Sequence, residues 1–170
     1  MDKIRFSLMP LILVLVAIQA LAGQGIKSDI SNEWPDNRYE DHRNGTVTDL
    51  ETGLMWSRCS LGLSGEQCDI GAADTFTWEG AKEAAATTRL AGYDDWRVPT
   101  LAELSQLVAQ DRFDPSINTV SFPNTPSAGF WTSTPYAYGY YYAWYVYFYY
   151  GYDYYNLRDY TCSVRLVRGG

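Results

Sequence analysis

Fifteen tyrosines, three cysteines and one histidine are the side chains of this 170-residue sequence with the most chemistry to offer. His42 is the sole histidine and sits in a polar stretch, Glu40-Asp41-His42-Arg43. One imidazole cannot assemble a metal cluster, and no Cys/His spacing in the chain suits zinc. A nucleophilic triad would have to use His42 as its base, and no G-x-S-x-G turn accompanies it. Phosphate-cradling and dinucleotide-binding glycine loops are absent too. Asp94 and Asp95 are adjacent, so on an extended segment they face opposite ways and make a poor acid/base pair. Asp95 is expected to pair with an arginine such as Arg97, and a calcium site here would need more oxygen ligands than this stretch itself supplies. No catalytic residue, metal or cofactor is therefore expected, and His42 reads as a solvated surface residue.

The cysteines point to architecture. Cys59 and Cys68 lie close together in a Gly/Ser-rich stretch, well placed to pair in an oxidising compartment. Closing so short a loop contributes roughly 2–3 kcal/mol. Cys162 is left over, either as a small buried side chain or as a partner for another chain.

Tyrosine is the outlier. All but Tyr39 and Tyr93 lie from Tyr136 onward. Tyrosine combines a flat apolar face with one hydroxyl and only two torsions to freeze, which is why antibody loops are rich in it, together with Ser, Gly and Asn. The expected contact residues are Tyr138, Tyr140, Tyr142, Tyr145, Tyr147, Tyr149, Tyr152, Tyr154, Tyr155, Asn156 and Asp159. Residues 143–150 alternate with period two, which predicts a strand. Trp144, Val146 and Phe148 would then be core, and Tyr145, Tyr147 and Tyr149 would face outward. The alternative is that the rings pack a core or an oligomer face, where many hydroxyls would need buried partners.

The elements that must position these residues are legible in part. Asn44-Gly45 is a hairpin signal, with strands at Thr46–Thr48 and Leu54–Trp56. Thr77 to Leu90 reads as a helix with Trp78, Ala81, Ala84, Ala85 and Leu90 on one face, ended by Gly92. Thr100 and Glu103 form a capping box ahead of a second helix, whose stripe is Leu101, Leu104, Leu107 and Val108. Residues 111–129 are irregular and Pro-rich. A strand resumes at Phe130–Ser133, Gly151 and Asp153 suggest a turn, and Val164–Val167 closes the domain.

The N-terminus reads as a signal peptide over residues 1–22. Lys3 and Arg5 precede an apolar run, and Ala20-Leu21-Ala22 predicts cleavage before Gly23. Residues 23–37 look like a polar linker and 38–170 like one domain. The formal charge of −7 disfavours nucleic acid and anionic lipid as partners. After cleavage no membrane segment is expected.

The blocks RNGTVTDLETGLMWSRCSLG, TWEGAKEAA, GYDDWRVPTLAEL, INTVSFPNTPSAGFWTST and SVRLVRGG resemble, in this order and spacing, the Lcl C-terminal domain family, from about Arg38 to Gly170. The WRVPTLAEL block also resembles the corresponding helix start of sulfatase-modifying-factor proteins. The resemblance implies an α+β, C-type-lectin-like fold: two helices, a twisted antiparallel sheet and long irregular loops. Tyr138 to Ser163 further resembles the variable region of proteins diversified by retroelements. There, template adenines are randomised and AAC codons become NNC, which encodes Tyr, Asp, Asn, Leu, Cys, Ser and Thr but not Trp, Met, Lys, Glu or Gln. Trp144 is the one residue of an excluded type in that window. Together these imply an exported, adhesin- or receptor-like protein whose tyrosines bind a protein or glycan ligand, and not an enzyme. Two other uses stand beside it. One is a structural subunit of a surface assembly, which predicts stable oligomers. The other is an oxidase of the sulfatase-modifying type, which would need paired cysteines where only Cys162 lies.

Overall fold

The computed structural model describes residues 24–32 and 34–169, so the signal peptide expected over residues 1–22 lies outside the described residues. In chain order the strands are β1 (Gly25–Ile26), β2 (Tyr39–Asp41), β3 (Thr46–Asp49), β4 (Met55–Ser57), β5 (Leu63–Ser64) and β6 (Ile70–Gly71). The helices α1 (Trp78–Thr87) and α2 (Leu101–Ser105) follow, then β7 (Arg112–Phe113), β8 (Gly129–Pro135), β9 (Tyr142–Tyr147), β10 (Tyr152–Leu157) and β11 (Val167–Arg168). One antiparallel sheet has the order β11-β4-β3-β2, and another has the order β10-β9-β8. β1–β7 and β5–β6 are separate two-residue pairs. The fold is α+β with antiparallel pairing and two short helices, as the sequence and its resemblance imply.

The opening hairpin forms where expected, with Val47 opposite Trp56. The capping box forms as well. The Thr100 hydroxyl accepts from the Glu103 N–H at 3.3 Å, and the Glu103 carboxylate accepts from the Thr100 N–H at 2.7 Å. The first helix ends at Thr87 rather than Leu90. The Thr87 and Thr88 hydroxyls bond back to the Ala84 carbonyl, and Leu90 and Tyr93 close a tight turn through Ala91 (φ 55°) and Gly92 (φ 83°). Part of the stretch with linker-like composition is docked. Lys27 N–H donates to the Asp111 carbonyl at 2.6 Å, and Asn118 donates to the Trp34 carbonyl at 3.0 Å.

β8 and β9 each bury side chains on both faces of their sheet. Phe130 and Val146 are cross-strand partners and enter one core with Val47, Trp56, Leu104, Ile117 and Phe148. Trp131, one residue on, points the other way into a second core with Trp78, Ala81, Trp96, Ala143 and Leu166. Burying each of these large side chains stabilises by about 1.5–3 kcal/mol. The two-sided burial corrects the parity reading of residues 143–150. β9 stops at Tyr147, and Tyr145 packs edge-on against Trp131 with ring centroids 6.0 Å apart. Trp144 lies in neither core cluster. It is half-buried against Tyr136 (5.4 Å) and Tyr155 (5.7 Å).

The turn expected at Gly151 and Asp153 is shifted. Gly151 (φ 80°) ends the turn, and Asp153 already lies in β10, pairing with Val146. Arg165 is completely buried. It donates to the Ser57 carbonyl and the Thr125 hydroxyl at 2.8 Å each and lies 4.7 Å over the Phe122 ring. Burial pushes its pKa down from the ordinary arginine value.

Candidate ligand-binding surface

β10 is the edge of its sheet, and its tyrosines are exposed on both faces: Tyr152 and Tyr154 on one, Tyr155 on the other. β9 alone pairs with it, and none of its residues enters either core cluster. The loop before β9 adds Tyr138, 91% exposed, with Tyr140 and Tyr141 at 79% and 72%. Three aromatic groups result.

On one face Tyr136 stacks on Tyr155 at 4.0 Å, with Tyr142 and Trp144 edge-on around them. Desolvation by its neighbours, then the Tyr155 hydroxyl, raise the Tyr136 pKa. On the opposite face Tyr145 and Tyr154 lie 5.9 Å apart. A groove of about 350 Å³ there is lined by Tyr145, Tyr147, Tyr160, Gly129, Thr75 and Cys162. The third group surrounds the turn between β9 and β10, where Tyr147, Tyr149, Tyr150 and Tyr152 meet. Beside the first group, Arg158 lies 4.1 Å over Trp78 and 5.2 Å over Tyr140, and its Nε donates to the Tyr142 carbonyl at 3.2 Å.

The expected contact residues therefore gather around β10 but differ in exposure. Tyr138, Tyr140, Tyr152, Tyr154, Tyr155 and Asp159 are exposed. Tyr142, Tyr145, Tyr147, Tyr149 and Asn156 are half-buried. The Asn156 Oδ1 also accepts from the Leu157 N–H at 2.8 Å. The expected contact set omits Tyr136, Tyr141, Tyr150, Tyr160 and Arg158, and the alternation of residues 143–150 puts Trp144 in the core. Raw aromatic density would have found the tyrosines; Arg158 is the sole cation of that window.

Elsewhere, Cys59 and Cys68 form a disulfide, the bond that oxidising compartments sustain. Cys162 is a buried free thiol whose pKa burial pushes up to about 12. His42 is half-buried and bonds the Thr48 hydroxyl at 2.8 Å. The expected Asp95–Arg97 pair is not made. Asp95 pairs with Arg168 and Arg97 with Glu103, each at 2.7 Å, because the capping box holds Glu103 within reach of Arg97. Among the described residues no group of His, Cys, Asp and Glu could hold a metal ion, and no helix is long and apolar enough to cross a membrane. A larger cavity, about 670 Å³, lies between the disulfide loop and the Leu90 turn and shares no residue with the tyrosine segment.

Residues 45–168 match the family model of the Lcl C-terminal domain. No curated protein matches the chain.

Proposed function

The chain belongs to the Lcl C-terminal domain family, and from that premise we propose that it is an exported ligand-binding protein, not an enzyme. In this reading a lectin-like scaffold presents the tyrosine surface around β10 to a protein or glycan. The observation that carries it is the exposure of Tyr138, Tyr140, Tyr141, Tyr152, Tyr154 and Tyr155 along one edge strand and its flanking loop. Apolar rings left open to solvent at this density mark an interaction surface. Tyrosine is the residue best suited to bind there at low entropy cost. The Cys59–Cys68 disulfide supports a destination outside the cytoplasm.

The scaffold beneath is built from Phe130, Trp131, Val146 and Phe148, all buried. That division between buried scaffold and exposed rings is what retroelement diversification of Tyr138–Ser163 requires. Two experiments test the reading. A near-copy of the DNA for this segment, with adenines at the variable codons, should lie beside a reverse transcriptase gene; mixed TAT and TAC codons with no such copy would refute diversification. Separately, Tyr138→Ser, Tyr154→Ser and Tyr155→Ser combined should fold normally and lose capture on a glycan and protein array. Undiminished capture would sink the binding surface.

A further inference from the structure

The turn between β9 and β10 is held more firmly than its exposure suggests. Phe148 is fully buried beneath it, and its N–H donates to the Ala128 carbonyl at 3.0 Å. Gly151 N–H donates to the Tyr147 carbonyl at 2.9 Å, and Asp114 N–H to the Tyr149 carbonyl at 2.9 Å. Gly151 lies so close to the core that a Cβ would meet Val108 Cγ1 at 2.4 Å. The four rings on this turn are therefore presented on a fixed backbone, which lowers the ordering cost of binding.

Their arrangement is compact. Tyr147 and Tyr149 are near-parallel at 6.1 Å, Tyr149 and Tyr150 meet edge-on at 4.4 Å, and Tyr150 and Tyr152 lie 6.3 Å apart. Tyr150 is 50% and Tyr152 57% exposed. Asp114 stands at the same turn. Its neighbour Arg112 is taken up by Asp111 at 3.2 Å, which leaves the Asp114 carboxylate without that cation. The Asp114 N–H bond to the Tyr149 carbonyl sets these two residues side by side, and the negative charge of Asp114 raises the Tyr149 pKa.

We propose that Tyr147, Tyr149, Tyr150 and Tyr152, with Asp114, form a subsite for a quaternary ammonium group. Ring faces attract a weakly hydrated cation lying within about 6 Å of the centroid. The carboxylate supplies a full opposite charge, and a net charge of −7 draws cations toward the surface. Aromatic faces of this domain already take cations: Lys82 Nζ lies 3.2 Å and Arg158 4.1 Å from the Trp78 centroid. The inference rests on the reading of this segment as a ligand surface and names the chemistry that one part of it accepts.

Choline tests it, with 3,3-dimethyl-1-butanol as the neutral analogue of the same shape. The choline methyl proton resonance should move upfield in the presence of the folded protein, because bound methyls lie over ring faces. The neutral analogue should bind roughly tenfold more weakly. Tyr149→Phe and Tyr150→Phe should keep choline affinity within about twofold, whereas Tyr149→Leu, Tyr150→Leu and Asp114→Asn should each weaken it about threefold or more. Circular dichroism and thermal midpoints establish that each variant is folded before it is compared. The absence of an upfield shift, equal binding of the neutral analogue, or full affinity in the leucine variants would overturn the subsite. Phosphatidylcholine vesicles separate the sources: co-sedimentation assigns the cation to a lipid headgroup, and binding of free choline alone assigns it to a solute. Tyr138→Ser and Tyr155→Ser should leave choline binding unchanged whatever they do to array capture, so failure of the wider surface and failure of this subsite are read apart.

Discussion

Tyr145 and Tyr138 belong to one aromatic segment but do different work. Tyr145 packs against Trp131 and the second core, whereas Tyr138 is 91% exposed. Truncating a ring at a packed position leaves a cavity, and truncating one in solvent does not. Tyr145→Ala should therefore cost about 2–3 kcal/mol in denaturant unfolding, and Tyr138→Ala should stay within about 0.5 kcal/mol. Cys162 follows the same logic of burial. A thiol pushed up to about 12 carries almost no thiolate at neutral pH. Iodoacetamide should leave Cys162 untouched in the native protein and alkylate it once denaturant is added.

Among the elements, α2 is the one whose start depends on charge. The Arg97 hydrogen bond, first, and the Thr100 N–H, next among the lowering influences, outweigh burial and hold Glu103 at about 2. A carboxyl lowered in the folded state contributes stability above its unfolded pKa and loses it as pH falls through the folded one. The contribution is complete above about 4.5 and lost on the way down to about 2. Glu103→Gln should flatten the acid limb of the stability curve in that window, measured as urea midpoint against pH. The disulfide loop is the other element with a defined energetic part. It spans a sequence separation of 9, so Cys59→Ser with Cys68→Ser should cost about 2–3 kcal/mol through the freed unfolded chain. β10 draws little from packing, since five of its six residues are exposed.

For the whole molecule, the packed cores and the exposed tyrosines occupy separate shells. The two cores meet the three-stranded sheet at β8 and β9, and the exposed tyrosines lie outside them on β10 and its loops. Replacing Tyr138, Tyr140, Tyr154 and Tyr155 together by Ser should therefore lower the thermal midpoint by no more than about 5 °C, because solvent-exposed substitutions each shift stability by a few tenths of a kcal/mol. A collapse of the fold on that change would show that these rings are structural after all.

Local chemistry was legible without coordinates. The Asn44-Gly45 hairpin, the Thr100–Glu103 capping box, the Cys59–Cys68 pair and the α+β class each depend on residues near one another in the chain. So did the concentration of tyrosine after Tyr136. Tertiary structure decided which rings are open. Alternation along a strand says that neighbours point opposite ways, but not how many faces are covered. Here two cores close on β9 from both sides, so Tyr145 is packed, Trp144 moves outward, and the exposed role passes to an edge strand. β10 itself was hidden because YDYYNL lacks the apolar half of an amphipathic strand, having no core to face. The pairing of Asp95 with Arg168 and the backbone bond from Asp114 to Tyr149 likewise bring together residues far apart in sequence. Such contacts are set by packing of the whole chain and leave no trace in local spacing.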